Sequence, residues 1–322
     1  MLTIWILVFI VAIIALIKGA DWLLDSAEKI GFALGLSSFI VGVIIVGLGT
    51  SFPELISSIA AVIEGATDIP AANAIGSNIA NILLVVGLAA IVGRRLIVTK
   101  NLIDLDLPLL AVTTGIFLVV AWDKTINLTE AIILLATYLI YFIYTIKEAD
   151  YNDDNIEPSD IIPPIIEAPK KSNKITIKDI VFLILGLLSL IFGAKFLIDA
   201  VIAISAILNI ATGVIALAAV AFGTSLPEVI VSIKAAMNKK YEVALGNIFG
   251  SNIFNILVVV GIPGLFKTLT LDTQTFSLGI PMLIASTILF VISGISKHIH
   301  IWEGLLYVLL YALFIAKIFA LI

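Results

Sequence analysis

The stretch "IVGLGTSFPELISSIAA", residues 45–61, decides how this chain is interpreted, because it places a group of polar residues inside an apolar segment. The polar residues are Thr50, Ser51, Glu54, Ser57 and Ser58, with Pro53 among them. A second stretch, "AVAFGTSLPEVIVSIKAA" at residues 219–236, presents Thr, Ser, Pro, Glu and Ser in the same order. A polar motif that occurs twice within apolar sequence predicts a functional site that both copies build.

The composition indicates an integral membrane protein. Of the 322 residues, 61% are hydrophobic and 13% are charged, and the mean hydropathy is +1.22. A soluble domain has about twice that share of charged residues. The chain contains no cysteine, which excludes disulfides and thiol chemistry.

Apolar segments of about 20 residues, separated by short polar breaks, predict ten membrane-spanning helices. In the first half the predicted spans are 2–20, 38–63, 69–92, 102–121 and 127–146. In the second half they are 178–199, 212–236, 242–265, 276–294 and 300–320. Residues 147–177 between the halves are rich in acids, Pro and Lys, which predicts a solvated linker.

The two halves match without a gap at a constant offset of 174 residues. For example, "NAIGSNIANILLVVG" at 73–87 aligns with "NIFGSNIFNILVVVG" at 247–261. Because each half holds an odd number of spans, the second half must enter the membrane in the opposite orientation, as in the inverted repeats of secondary transporters. We therefore predict an all-α integral membrane protein of ten transmembrane helices, built as two inverted five-helix repeats, residues 1–146 and 178–322.

The distribution of basic residues predicts the orientation. With the N-terminus outside, fourteen Lys and Arg residues fall on the cytoplasmic side and four fall outside. The positive-inside rule therefore predicts a multi-pass cell-membrane protein with an external N-terminus and a cytoplasmic linker.

Residues four positions apart lie on one face of a helix, so both halves present polar stripes. In the first half the stripes are Thr50, Glu54 and Ser58, and Asn73, Ser77 and Asn81. In the second half they are Thr224, Glu228 and Ser232, and Asn247, Ser251 and Asn255. Every member offers an oxygen atom, and none is His, Cys or Met. We expect the four stripes to converge on one cavity suited to a hard cation such as Ca²⁺ or Na⁺.

Two further features support such a cavity. Pro53 and Pro227 each predict a helix kink that turns carbonyl oxygens inward, and Gly76 and Gly250 are expected to let helices approach closely. A buried carboxylate without a counter-charge costs several kcal/mol. One divalent cation, or two or more monovalent cations or protons, would neutralise the two glutamates. An empty site would oppose closure, which predicts obligatory exchange.

The motifs "GTSFPE" with "GSNIANI", and "GTSLPE" with "GSNIFNI", resemble the two alpha-repeats of the calcium/cation antiporter superfamily, and most closely its prokaryotic sodium/calcium exchanger branch. The resemblance covers nearly the whole chain and implies that Glu54 and Glu228 ligate calcium and also face sodium. It implies hydroxyl ligands for sodium at Thr50, Ser51, Ser77, Thr224, Ser225 and Ser251. It also implies carbonyl ligands at Gly47 and Ala221, and a central water or ion beside Asn81 and Asn255. Spans one and six would slide past the other eight.

Two departures from relatives bear on the coupling ion. Position 255 is Asn, whereas potassium-dependent relatives carry Asp there, which argues against potassium co-transport. The proton-exchanging branch has "GNxxE" in place of "GTSxPE", so the motif favours sodium as the driving ion. Gly47 stands where Ala is common, which leaves its carbonyl oxygen in place.

Sodium-driven calcium antiport is thus the leading interpretation, and a cation/proton exchanger is the alternative. A passive channel lacks a visible pore-filter segment, and an intramembrane hydrolase lacks a Ser–His or metal–His arrangement, so we do not expect an enzyme. We expect no cofactor and no nucleic-acid partner. The expected partners are Ca²⁺, Na⁺ and the lipid bilayer, and a monomer is compatible with the sequence.

Overall fold

The computed structural model describes residues 2–98, 106–151, 175–207 and 225–319, and these residues are largely helical. In chain order the helices are α1 (Leu2–Ala33), α2 (Ser38–Glu64), α3 (Ile69–Val92), α4 (Leu107–Val120), α5 (Leu128–Tyr151), α6 (Ile177–Ile207), α7 (Leu226–Met237), α8 (Tyr241–Gly264), α9 (Thr275–Ile295) and α10 (Ile301–Ile318). The short strands are β1 (Arg95–Ile97), β2 (Thr125–Ile126), β3 (Leu269–Thr270) and β4 (His298–His300). They form two antiparallel pairs, β1 with β4 and β2 with β3, which an all-helical prediction does not include.

Eight of the described helices are long and apolar enough to cross a membrane, and α4 is a shorter apolar helix. The apolar window of α8 is 100% buried, whereas those of α1 and α6 are 17% and 22% buried. Helix α8 therefore lies at the centre of the helix bundle, and α1 and α6 lie at its edge. Their exposed apolar faces are typical of lipid contact in a multi-pass membrane protein.

Three predicted helix ends are wrong. Helix α1 continues to Ala33 rather than ending at residue 20, and α6 continues to Ile207 rather than ending at residue 199. Beyond residue 20 the buried residues of α1 still recur at helical spacing, while its charged residues occupy the other face. Helix α5 continues to Tyr151, so residues 147–151 are helical rather than linker. The remaining linker residues 152–174, residues 102–105 of the fourth predicted span and residues 212–224 of the seventh lie outside the described residues.

Helices α1 and α6 run antiparallel and are in backbone contact. A methyl group on Gly19 would lie 3.0 Å from the carbonyl oxygen of Gly186, and one on Gly193 would lie 3.3 Å from that of Ala12. Nearby, the Ser189 hydroxyl donates to the Ala15 carbonyl at 2.8 Å. These two helices share a smaller hydrophobic core with residues of α2, α7 and α8, distinct from the larger core around α3 and α8. We call them the α1/α6 pair.

Helices α2 and α8 cross where glycines allow close approach. A methyl group on Gly250 would lie 2.5 Å from the Val43 carbonyl oxygen, so the prediction of close packing at Gly250 is confirmed. No described atom lies within 4 Å of a methyl group placed on Gly76. The segment related to Val43 by the 174-residue offset, around residue 217, lies outside the described residues. Close packing at Gly76 therefore stays a prediction.

Candidate ion-binding site

The first motif interrupts α2. A π-helical segment, Val41–Gly47, is followed by a short turn and then by Ser51, whose φ of −89° and ψ of 2° are not helical. The α-helix resumes at Phe52, which makes Pro53 its second residue, a position where a missing N–H breaks no hydrogen bond. Helix α7 begins in the same way, because Ser225, with φ of −86° and ψ of 3°, precedes Leu226. The predicted interruption at Pro53 is confirmed.

Glu54 and Glu228 each occupy the third position of the helix that follows the break. The positive end of a helix dipole favours a carboxylate there. Both side chains are buried, at 0% and 1% exposure. The Ser51 hydroxyl, from the motif that carries Glu54, donates to Glu228 Oε1 at 3.1 Å. The structure thus brings the first motif into contact with the acid of the second.

Several buried polar atoms of the two acids and of two asparagines have no hydrogen-bond partner among the described residues. They are both carboxyl oxygens of Glu54, Oε2 of Glu228, Nδ2 and Oδ1 of Asn81, and Oδ1 of Asn255. Asn81 lies in the π-helical segment Ala80–Val85, and Asn255 begins the segment Asn255–Val259. Native proteins rarely leave buried polar atoms unpaired, and π-helical turns are frequent at functional sites. The arrangement is suited to an ion or a water molecule that these atoms would share.

A second group of oxygens surrounds the Gly47 carbonyl. Thr50 Oγ1 lies 3.3 Å from this carbonyl oxygen and 3.1 Å from Asn247 Oδ1, and its single proton can go to either. The Ser251 hydroxyl also donates to the Gly47 carbonyl, at 3.2 Å. The backbone of α8 approaches Gly47 closely, since a methyl group there would lie 3.0 Å from the Asn247 carbonyl oxygen. Both halves of the chain therefore contribute neutral oxygens to one small cluster.

Asn73 and Asn247 make equivalent hydrogen bonds in the two halves. Asn73 Nδ2 donates to the Glu54 carbonyl at 3.4 Å and to Ser58 Oγ at 3.3 Å. Asn247 Nδ2 donates to the Glu228 carbonyl at 3.5 Å and to Ser232 Oγ at 2.8 Å. These amide groups contact the helical turn that carries each glutamate. Asn247 is fully buried, whereas Asn73 is half-buried.

The remaining predicted site residues divide into two groups. Ser77 and Ser225 are buried, and Ser225 directly precedes the first residue of α7, as Ser51 precedes Phe52. Thr224 and Ala221 lie outside the described residues. Within the described ranges, no group of three or more His, Cys, Asp or Glu residues converges. The described site therefore combines two acids with hydroxyl, amide and carbonyl oxygens.

One polar contact between the halves was missed from sequence. Asn78 Nδ2 donates to the Asn252 carbonyl at 2.9 Å, and both asparagines are buried. Each is the third residue of a GSN motif, so the repeated motif carried the signal. Spacing by four residues selects the neighbouring serines instead, which is why the stripes did not include these asparagines.

The geometry defines a class of protein, a multi-pass helical membrane protein with a buried oxygen-lined site. A family model described as sodium/calcium exchanger protein matches residues 4–147 and again residues 178–320, and the chain belongs to this family. The chain is 32% identical to the sodium/calcium exchanger MaX1 of Methanosarcina acetivorans, with 99% of each chain covered. It is 34% identical to an uncharacterised membrane protein of Methanocaldococcus jannaschii, with 96% of each covered. Its structure is similar to that of the sodium–calcium exchanger NCX_Mj soaked with zero Na⁺ and Ca²⁺, with a TM-score of 0.82, 30% identity, and coverage of 98% of this chain and 99% of that one.

Proposed function

We propose that the chain exchanges Ca²⁺ for Na⁺ across the membrane, by alternating access to one central site between two inverted five-helix repeats. Family membership and the likeness to a sodium–calcium exchanger structure support the transported ions. The separate match of the family model to each half supports the repeat. So do the equivalent hydrogen bonds of Asn73 and Asn247, which lie 174 positions apart.

The observation that carries the proposal is the pair of buried acids. Three of the four carboxyl oxygens of Glu54 and Glu228 have no hydrogen-bond partner within the part of the chain that the structure describes. Leaving ionised groups buried and unpaired costs several kcal/mol each. Ca²⁺ supplies two positive charges and takes about 6–8 oxygen ligands, so it would satisfy both acids at once. We assign Glu54, Glu228, Thr50 and Thr224 to this central position.

Sodium would use the neutral oxygens on either side of the acids. In the first group these are Gly47, Thr50, Ser51 and Ser251, and in the second they are Ala221, Thr224, Ser225 and Ser77. The cluster around the Gly47 carbonyl supports the first group. Asn81 and Asn255 would hold a water molecule or an ion between the acids, and Asn73 and Asn247 complete the site. Because either cargo neutralises the acids and an empty site does not, exchange is obligatory.

The proposal includes the orientation of the chain in the cell membrane. Residues 1–146 and 178–322 form the two repeats, the segment between α5 and α6 forms a cytoplasmic linker, and the N-terminus is external. The α1/α6 pair, which lies at the edge of the bundle, is the element that moves to alternate access. Transport requires no covalent chemistry and no bound cofactor.

A cation/proton exchanger is the second candidate. The unpartnered carboxyl oxygens favour it as well, since protons would neutralise Glu54 and Glu228 as effectively as sodium ions. The two candidates differ in the ion whose gradient drives calcium.

Calcium uptake into proteoliposomes distinguishes them. Sodium, potassium and proton gradients would be imposed one at a time, with protein-free liposomes as the control. We expect an outward sodium gradient to drive calcium uptake, and potassium and proton gradients to have no effect on it. Uptake that follows the proton gradient alone would establish the second candidate, and uptake without any counter-ion would indicate a channel.

A further inference from the structure

A row of acids follows one end of α1. Asp21, Asp25 and Glu28 are spaced by four and three residues, so they lie on one face of the helix. Two lysines face them, Lys234 near the end of α7 and Lys240 just before α8. Lys234 Nζ lies 3.0 Å from Asp21, and Lys240 Nζ lies 2.7 Å from Glu28 and 3.6 Å from Asp25. The lysine side chains are only 25% and 24% exposed, so these pairs are partly shielded from water.

The repeat does not reproduce this row at the opposite end of the molecule. At an offset of 174, Asp21 corresponds to Lys195 and Glu28 to Ile202, and only Asp25 is retained, as Asp199. The partner positions Lys234 and Lys240 correspond to Ala60 and Ala66. The site residues Thr50, Glu54 and Ser58 are retained in the other half as Thr, Glu and Ser, so this loss of symmetry is specific to the ion pairs.

The ion pairs join two bodies that otherwise touch through apolar side chains. The fully buried residues of this apolar surface are Val41 and Val46 of α2, Val231 and Ala235 of α7, and Val243 and Ala244 of α8, and the larger Ile45, Leu226 and Ile230 pack against them. Apolar contacts are non-directional, so they do not by themselves fix one position of the helices against each other. The three ion pairs of the described residues all connect α1 to the α7 end of that surface.

We propose that the Asp21–Lys234 and Asp25/Glu28–Lys240 ion pairs form a one-sided latch. The latch holds the α1/α6 pair against α7 on the cytoplasmic side and favours access to the site from outside. The inference rests on the proposed function and orientation, since a latch on one side matters only if the site opens to both sides in turn. A partly exposed ion pair changes an equilibrium constant by up to about fivefold. Ion pairs at two lysines are expected to change the equilibrium between the closed and open cytoplasmic side by more.

The absence of native cysteine allows a direct test. Val231 is buried in the surface between α1 and α7, so Val231→Cys becomes reactive only when these helices separate. The measurement is the rate of labelling by a membrane-impermeant thiol reagent applied from the cytoplasmic side. In this background, Lys234→Gln with Lys240→Gln is expected to raise the rate by about fivefold or more. Lys239→Gln is the matched control, because this exposed lysine makes no ion pair among the described residues.

Exchanging the two charges of one ion pair distinguishes loss of the latch from misfolding of a variant. Asp21→Lys alone and Lys234→Asp alone are expected to speed labelling, and the two together to restore the slow rate. Equal rates in the Lys234/Lys240 double variant and the Lys239 control, or no restoration in the exchanged pair, would overturn the latch. Labelling does not depend on transport, so a protein that moves no calcium would refute the proposed function while the labelling rates still decide the latch.

Discussion

At the scale of single residues, the two glutamates are not equivalent. Among the described residues, Glu228 accepts a hydrogen bond from Ser51, whereas neither carboxyl oxygen of Glu54 has a partner. A buried acid without any donor depends more strongly on a bound cation than one that already has a donor. In the proposed exchange we therefore expect the environment of Glu54 to change most when cargo leaves.

A second prediction concerns Asn247, whose hydrogen bonds hold the helical turn that carries Glu228. Its amide donates to Ser232 Oγ and the Glu228 carbonyl, and its oxygen accepts from Thr50. Asn247→Ala leaves a fully buried set of polar groups unpaired, so we expect the free energy of unfolding to fall by about 1–3 kcal/mol. Asn73→Ala is the matched control and is expected to cost less, because Asn73 is half-buried. Thermal unfolding in detergent measures the loss of stability in both variants. An equal loss in the two, or a larger loss for Asn73→Ala, would contradict these roles.

Asn255 offers a prediction about ion selectivity. Asn255→Asp adds a third acid to a site where Asn255 Oδ1 already lacks a partner. An extra negative charge requires an extra monovalent ion or proton before the site can close. We expect the monovalent-ion dependence of calcium exchange to change more than the calcium affinity does. Identical ion profiles for the variant and the original protein would exclude Asn255 from the site.

At the scale of helices, the crossing of α2 and α8 holds the two motifs together. Gly250→Ala would place a methyl group 2.5 Å from the Val43 carbonyl oxygen, so the helices must separate. We expect a loss of about 1–3 kcal/mol in the free energy of unfolding from this overpacking, together with weaker calcium exchange. Gly115→Ala in α4 is the control, since a methyl group there meets no described atom within 4 Å. Equal thermal unfolding of the two variants would argue against close packing at Gly250.

The helices also show what sequence can and cannot predict. Hydrophobic length located the spans, and Pro53 located the break in α2, because both signals are local. The end of α1 was missed because charged residues such as Asp21 become tolerable in a helix once a distant lysine faces them. The end of α6 was missed because the length of an apolar span does not mark where a helix ends. The π-helical segments at Asn81 and Asn255 and the strand pairs β1–β4 and β2–β3 depend on contacts between distant parts of the chain. The spacing of residue types along the sequence does not predict such contacts.

At the scale of the whole molecule, the central expectation is that equivalent positions in the two halves face opposite sides of the membrane. Glu64 at the end of α2 and Asn238 after α7 are related by the 174-residue offset, and both are exposed. In a chain without native cysteine, Glu64→Cys should react with an impermeant reagent from outside only, and Asn238→Cys from the cytoplasm only. Reaction of both from the same side would rule out the inverted arrangement.

At this scale the proposed exchange also accounts for the coupling of two ions at one site. Glu54 and Glu228 come from different halves of the chain, and both are buried. In the proposed site they set one charge that must be neutralised, whichever side an ion arrives from. Whichever cargo supplies that charge allows closure. Compulsory exchange then requires no separate coupling device.

Calcium binding to Glu54→Gln and Glu228→Gln, measured by calorimetry on purified protein without sodium, tests this account most directly. Each substitution keeps the size of the side chain and removes one buried negative charge. We predict that both variants lose calcium binding while their thermal unfolding without ions stays the same or shifts upward, since an uncompensated charge has been removed. Calcium binding of unchanged affinity in both variants would contradict the claim that the two acids form the site.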